Sequence, residues 1–159
     1  MSTTSNNESE AARLTANKVA SELRRLISLK KRATLVIDAH GLPDTFFNFL
    51  SGSEGIDWTQ VIVILAREFT GVNGEHPQSM RHRILEQLIS RVPIVEFVAP
   101  RADAPNPSAA LVNFNALFNS KGADLVVRDR SAAITKTDFF GLTERQLEDI
   151  PQILFENNA

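Results

Sequence analysis

The chain has 159 residues, a formal net charge of −2 and 43% hydrophobic residues, values that are ordinary for a single soluble globular domain. The nearly balanced charge gives no electrostatic basis for binding nucleic acid or an anionic membrane, and the absence of cysteine excludes disulfides, thiolate catalysis and cysteine metal ligands. The N-terminus is polar and lacks the apolar core of a secretory signal. We therefore expect a cytoplasmic protein that binds neither nucleic acid nor membrane.

The first half of the chain predicts alternating helices and strands after a short tail. Residues 1–8 are predicted to be a disordered tail, and residues 9–159 a single α/β domain. Apolar residues recur at helical spacing from residue 11 to residue 30, which predicts an amphipathic helix. The pattern then predicts, in order, a buried strand over 33–37, a helix over 44–50 that turns Phe46, Phe47 and Phe49 to the core, and a second strand over 61–65.

The second half continues the alternation. It predicts a helix over 77–92, a strand over 94–98 and a Pro-rich loop over 100–107. A helix over 108–120 follows, which is predicted to bury Leu111, Phe114, Leu117 and Phe118. The last predicted elements are a strand over 125–127, a strand and turn over 135–141, and a short helix over 143–149 opened by Thr143. Short, continuous apolar strands that alternate with helices are typical of a parallel sheet with helices on both faces.

Charged and polar residues follow three of these strands. His40 and Gly41 come after the first, Arg67 and Glu68 after the second, and Arg128 at the end of the fourth. Open α/β sheets place their chemistry beyond the carboxyl ends of the strands. Arg67 has two interpretations: it binds an anion in this crevice, or it is a surface or ion-paired arginine. His40 is likewise either ligand-facing or merely solvated, and Arg128 beside Arg67 would make the crevice cationic.

A second polar cluster precedes the helix over 77–92. Ser79 and Gln78 are placed to satisfy the free N–H groups at the start of that helix. His76 and Ser79, with Pro43 and Gly71, are interpreted as structural turn residues. The histidines here do not have the spacing of a zinc site, so no metal is expected.

These motifs, taken in order, resemble one enzyme family. The order is a strand, a turn with Gly41 and Pro43, an aromatic helix, Asp57 and Trp58, a strand, a charged pair, Gly71, and the cluster over 76–79. It resembles the glucosamine-6-phosphate deaminase/isomerase and 6-phosphogluconolactonase family, up to about residue 130. The resemblance implies a Rossmann-like parallel sheet of the deaminase/isomerase type. Because family members are longer, it also implies a fold that is shortened at the C-terminus.

The resemblance also assigns roles to the strand-end residues. The family's first loop holds a phosphate, which makes His40, Gly41 and Leu42 ligand-binding candidates together with Arg67 and Arg128, although the loop's hydroxyl donors are missing here. The family's second motif is Asp-Glu, whose Asp resembles the catalytic base. Its counterpart here begins with Arg67, which cannot act as a base, and Glu68 remains as the candidate catalytic residue.

The family's third motif is a Gly-rich loop with a histidine. Its counterpart over 127–133 contains neither glycine nor histidine. We therefore expect a diverged, catalytically inactive protein of amino-sugar phosphate metabolism that at most binds a sugar phosphate. The alternative is an active isomerase, deaminase or lactonase that uses replacement acids, and an acid from Glu68, Asp129 or Asp138 beside His40 would favour it. The family's chemistry requires no metal or organic cofactor.

A shortened sheet would expose a strand edge, which proteins usually cover or blunt. We therefore expect either a homodimer or an edge covered by the segment over 131–155.

Overall fold

The computed structural model describes residues 3–129 and 139–156. Its helices are α1 (Thr3–Lys30), α2 (Asp44–Ser51), α3 (Met80–Ile84, continued by a π-helical turn over Leu85–Ile89), α4 (Pro107–Lys121) and α5 (Glu144–Glu148). Its strands are β1 (Ala33–Asp38), β2 (Val61–Leu65), β3 (Arg67–Phe69), β4 (Glu96–Val98), β5 (Leu125–Asp129), β6 (Phe139–Gly141) and β7 (Gln152–Phe155).

Five strands form one parallel sheet in the order β4-β2-β1-β5-β7. The chain builds outward from β1 to β2 and β4 on one side, then returns to β5 and β7 on the other. The strand order therefore reverses between β1 and β5, where open α/β sheets form a crevice at the carboxyl ends of their strands. This arrangement confirms the predicted Rossmann-like parallel sheet.

Helices cover both faces of the sheet, so the strands are buried on both sides. One core packs residues of α1, α2 and α3 against alternate residues of β1, β2 and β5. The other packs Phe114 and Phe118 of α4 and Leu147 of α5 against the intervening strand residues. Buried parallel strands of this kind explain the continuous apolar runs in the sequence.

Helix α1 begins earlier than predicted. Residues 1–8 were predicted to be a disordered tail. The described part of that segment, Thr3–Glu8, is helical. Its buried stripe of Ala16, Val19 and Leu23 matches the prediction. Among the described residues, neither α1 nor any other helix combines the length and the apolar character that a membrane span needs.

The core differs from the prediction at three apolar side chains. Phe49, Leu111 and Leu117 were expected to face the core, but the exposed fractions of Phe49 and Leu117 are 36% and 44%, and Leu111 is only half-buried and belongs to neither core. Their neighbours Phe46, Phe47, Phe114 and Phe118 are buried as expected. In both helices the apolar residues outnumber the positions that one buried face provides, so periodicity alone does not identify the outermost one.

Two strands were not predicted. Strand β3 comprises the charged pair and Phe69, and it pairs antiparallel with β6. Gly141 of β6 approaches the backbone so closely that a Cβ there would lie 2.3 Å from the carbonyl oxygen of Ala66, at a φ of 145°. Glycine is therefore required at this corner.

Strand β7 was also missed, and it bears on the exposed edge. It lies within the segment over 131–155 and pairs in parallel with β5. Residues 152–155 of this segment therefore cover the edge of β5, and β7 becomes the outer strand of the sheet. The homodimer stays a prediction. The first part of the predicted strand over 135–141 lies outside the described residues, as does Asp138.

Candidate functional site

The crevice at the strand-order reversal contains charged side chains from three strands and one helix. Asp38 ends β1 and lies in register with Arg128 of β5, while Arg67 begins β3 directly beyond β2. Glu144 begins α5 and reaches the same place. Arg67 and Arg128 were both predicted to lie in this crevice, and the structure brings them together.

Arg67 forms a buried ion pair with Asp38. Its Nε donates to Asp38 Oδ1 at 3.3 Å and its Nη2 donates to Asp38 Oδ2, so the contact is bidentate. The two side chains are only 5% and 3% exposed. The Arg67 guanidinium also lies 5.3 Å from the ring centre of Phe139 in β6. Of the two interpretations of Arg67, the contacts favour the ion-paired arginine.

Arg128 and Glu144 complete the cluster. Nη2 of Arg128 donates to both carboxylate oxygens of Glu144, at 2.6 and 2.7 Å, and Nη1 of Arg67 donates to Oε1 of Glu144 at 3.4 Å. Nε of Arg128 is 3.8 Å from Asp38 Oδ2. Among the described residues, two guanidinium groups and two carboxylates therefore balance, so these four side chains do not by themselves make the crevice net cationic. We call these four residues the ion cluster.

The ion cluster predicts a specific pH dependence of stability. Hydrogen bonds from Arg128, reinforced by the charges of Arg128 and Arg67, hold the pKa of Glu144 below its usual value of 4.5, against the opposing effect of partial burial. A carboxyl whose pKa is lower in the folded state stabilises the protein above its unfolded pKa, and this contribution is lost as the pH falls through the folded value.

We therefore expect Glu144→Gln to lower the free energy of unfolding at pH 7. The difference from the unmodified protein should shrink as the pH falls below 4.5. Urea unfolding at several pH values measures it. Glu148→Gln removes an exposed carboxylate from the same helix and is the control, and an equal pH dependence in both variants would contradict the prediction.

His40 and Gly41 line a separate cavity of about 320 Å³, together with Asp44, Ser79, His82 and Arg83. Among the described residues, those that line it include neither Arg67 nor Arg128. The His40 ring makes an edge contact with Phe139, with 5.1 Å between ring centres. Because the Phe139 ring contacts both His40 and Arg67, one aromatic side chain adjoins both the cavity and the ion cluster.

Gly41 is held by close packing against β5. Its φ is 85°, and a Cβ there would lie 2.2 Å from Oδ2 of Asp129. The positive φ and the close carboxylate explain the glycine. They also place Asp129 against the loop that carries His40.

Leu42 and Glu68 lie in structural positions. The Leu42 side chain is 2% exposed and belongs to the core, so it does not face the cavity, and we do not retain it as a ligand residue. Glu68 is 1% exposed, and its carboxylate accepts hydrogen bonds from the backbone N–H groups of Met80 and Arg81, each at 2.9 Å. These bonds satisfy two of the free backbone N–H groups at the start of α3. A catalytic role for Glu68 stays a prediction that these contacts do not favour.

The four turn residues make the contacts of structural turns. Pro43 precedes the first residue of α2, and Gly71 has a φ of 80° and donates its N–H to the carbonyl of Ala102. Nδ1 of His76 accepts the N–H of Gln78. Ser79 Oγ accepts the N–H of His82 at 2.9 Å as the N-cap of α3.

Asp38 and Glu144 were not identified from the sequence. Asp38 ends an apolar strand, and a polar residue at such a strand end is a usable signal. Glu144 follows a helix N-cap, where an acidic residue is expected for capping alone, so its sequence position gives no indication of the two arginines. Within residues 3–129 and 139–156, no three His, Asp or Glu side chains are grouped so that they could hold a metal ion.

Comparison with known proteins relates the chain to one family, although no family model matches it. A glucosamine-6-phosphate deaminase from Exiguobacterium sp. is 31% identical over 72 residues, which are 45% of this chain and 28% of the relative. The enzyme of the same name from Streptococcus pneumoniae is 26% identical over 110 residues, which are 69% of this chain and 47% of the relative.

The structural comparison agrees on the fold. A 6-phosphogluconolactonase from Shewanella baltica superposes with a TM-score of 0.67 and 24% sequence identity, over 81% of this chain and 54% of the lactonase. The matched region spans about half or less of each of these proteins. The chain is therefore similar in sequence to glucosamine-6-phosphate deaminases over part of its length, and it shares the fold of a 6-phosphogluconolactonase.

Proposed function

We propose that this chain is a catalytically inactive family member, of cytoplasmic amino-sugar phosphate metabolism, that retains at most the binding of a sugar phosphate. Glucosamine 6-phosphate is the first ligand to consider, because the sequence relatives are deaminases of that compound. The chain spans about half or less of those relatives, so neither their activity nor their substrate transfers to it without a test.

The ion cluster carries this proposal. Arg67 stands where the family motif has its catalytic base, and its guanidinium is bonded to Asp38 on one side and to Glu144 on the other. An arginine remains protonated at any working pH. The acid next to it, Glu68, is bonded to backbone N–H groups. A positioned general base contributes about 10²–10⁴-fold to a rate, so its loss alone supports inactivity.

One observation favours the alternative of an active enzyme with replacement acids. The cavity beside His40 also contains Asp44, His82 and Glu86, and Asp129 packs against Gly41 next to His40. Histidine and carboxylate groups in one cavity can exchange protons with a bound sugar. An enzyme of this kind would depend on His40 rather than on Glu68.

Two assays separate these functions. We expect no ammonia release from glucosamine 6-phosphate and no hydrolysis of 6-phosphogluconolactone above the rate without protein, under conditions in which an active family member turns over. Calorimetric titration with glucosamine 6-phosphate then measures binding, with glucosamine as the control that lacks the phosphate. Turnover that disappears in His40→Ala would overturn the proposal in favour of the alternative.

A further inference from the structure

We propose that Arg67 and Arg128 form a binding site for an oxyanion of the phosphate class, and that Glu144 occupies this site as an internal, displaceable ligand. This inference rests on the proposed function and specifies where the phosphate group of a ligand would bind. The site lies in the ion cluster, at the strand-order reversal between β1 and β5.

The geometry around Glu144 is that of a bound anion. One carboxylate receives two hydrogen bonds from Nη2 of Arg128, at 2.6 and 2.7 Å, and a longer one from Nη1 of Arg67 at 3.4 Å. Guanidinium groups that converge on one oxyanion are the usual means of holding carboxylate or phosphate. The arginines are positioned by the sheet, since β3 carries Arg67 and β5 carries Arg128.

The charge balance makes the site dependent on an anion. Asp38 is nearly fully buried with Arg67 and neutralises one of the two arginines. Glu144 neutralises the other. Without the Glu144 carboxylate, the two arginines, whose side chains are 5% and 10% exposed, share Asp38 as their one carboxylate partner within residues 3–129 and 139–156. A buried, uncompensated cation is unfavourable, so the site would take an anion from solution.

Glu144 differs from Asp38 in its access to solvent. The Glu144 side chain is 46% exposed, against 3% for Asp38. The backbone of α5 is fixed independently, by a capping box between Thr143 and Gln146 and by the buried side chain of Leu147. Glu144 can therefore leave by rotation of its side chain alone, whereas removal of Asp38 would open the core.

The test uses Glu144→Gln and inorganic phosphate. We expect the variant to bind phosphate at least tenfold more tightly than the unmodified protein in calorimetric titration, because no internal carboxylate competes. Phosphate and sulfate should also raise the melting temperature of the variant more than that of the unmodified protein. The added change Arg128→Ala should abolish both effects.

Glu148→Gln is the matched control, since it removes the same charge from the same helix. Equal phosphate binding by Glu148→Gln and Glu144→Gln would overturn the inference, as would no binding by Glu144→Gln. Circular dichroism checks the fold of each variant. If Glu144→Gln does not fold in anion-free buffer, phosphate is added to the unfolded variant, and refolding supports the inference. If neither Glu144→Gln nor Glu144→Ala refolds in phosphate, the inference is overturned.

Glucosamine 6-phosphate, glucosamine and inorganic phosphate distinguish the sources of the phosphate group. Tighter binding of the sugar phosphate than of phosphate by Glu144→Gln indicates a sugar subsite beside the ion cluster, and equal binding indicates an anion site alone. Either result supports the inference. The proposed inactivity is judged separately, by turnover of the unmodified protein, so each proposal can fail while the other stands.

Discussion

Replacing Asp38 with alanine is expected to lower the free energy of unfolding by about 3–5 kcal/mol, the cost of removing one partner from a buried ion pair. The change leaves the guanidinium of Arg67 buried, with its Nε and Nη2 donors unbonded where Asp38 had accepted them. Glu144 does not compensate, because Arg128 holds both of its oxygens and its contact with Arg67 is longer, at 3.4 Å.

Urea unfolding at pH 7 measures the loss of unfolding free energy, and two further variants serve as comparisons. Glu22→Ala breaks an ion pair with Arg25 on the surface of α1, and we expect it to cost no more than about 1 kcal/mol. Asp38→Leu combined with Arg67→Met replaces the buried pair with apolar side chains and should recover most of the loss. If Asp38→Ala is no more destabilising than Glu22→Ala, Asp38 and Arg67 do not form a buried ion pair in solution.

The strands that carry the site could be predicted because their signal is local. Strand β2 has the predicted bounds, Val61–Leu65, and β1 extends one residue beyond its prediction, to Asp38. Both are short, largely apolar runs, typical of strands in a sheet that is covered on both faces. Strand β3 has no such signal. It consists of a charged pair and Phe69, and it is a strand because β6, some 70 residues later, supplies its hydrogen-bond partner.

The site itself was predictable only in part. A charged pair after a buried strand indicated that Arg67 lies in the crevice, and the sequence left its ion-paired and anion-binding roles open. What decides between them is the position of two acids, Asp38 and Glu144, that are 29 and 77 residues away along the chain. Such pairings depend on strand order and register, which a single sequence does not specify.

The contacts of Glu68 likewise could not be predicted from the sequence. The family motif indicated that it could be catalytic. In the structure, successive side chains of β3 point to opposite faces, so Glu68 faces away from Arg67 and meets the start of α3. Its carboxylate accepts the N–H groups of Phe69, Met80 and Arg81, each at 2.9 Å.

Glu68→Ala is therefore expected to lower the free energy of unfolding by about 2–4 kcal/mol. A hydrogen bond to a charged group contributes about 1.5–3 kcal/mol, and a lost N-cap costs about 0.5–2 kcal/mol. In the variant, the N–H of Met80 would remain buried without the acceptor that Glu68 provides. Glu68→Gln keeps one acceptor oxygen and should fall between the variant and the unmodified protein.

The controls for Glu68 separate a structural role from a catalytic one. Ser79→Ala removes the hydroxyl cap of the same helix and should cost about 1 kcal/mol, whereas Glu75→Ala changes an exposed carboxylate in the preceding turn and should stay within about 0.5 kcal/mol. Urea unfolding ranks the four variants. A catalytic Glu68 would give the opposite result: Glu68→Gln would keep full stability and lose a turnover that the unmodified protein shows. Loss of stability without any turnover to lose would mean that the carboxylate beside the family's missing base now serves only to hold helix α3.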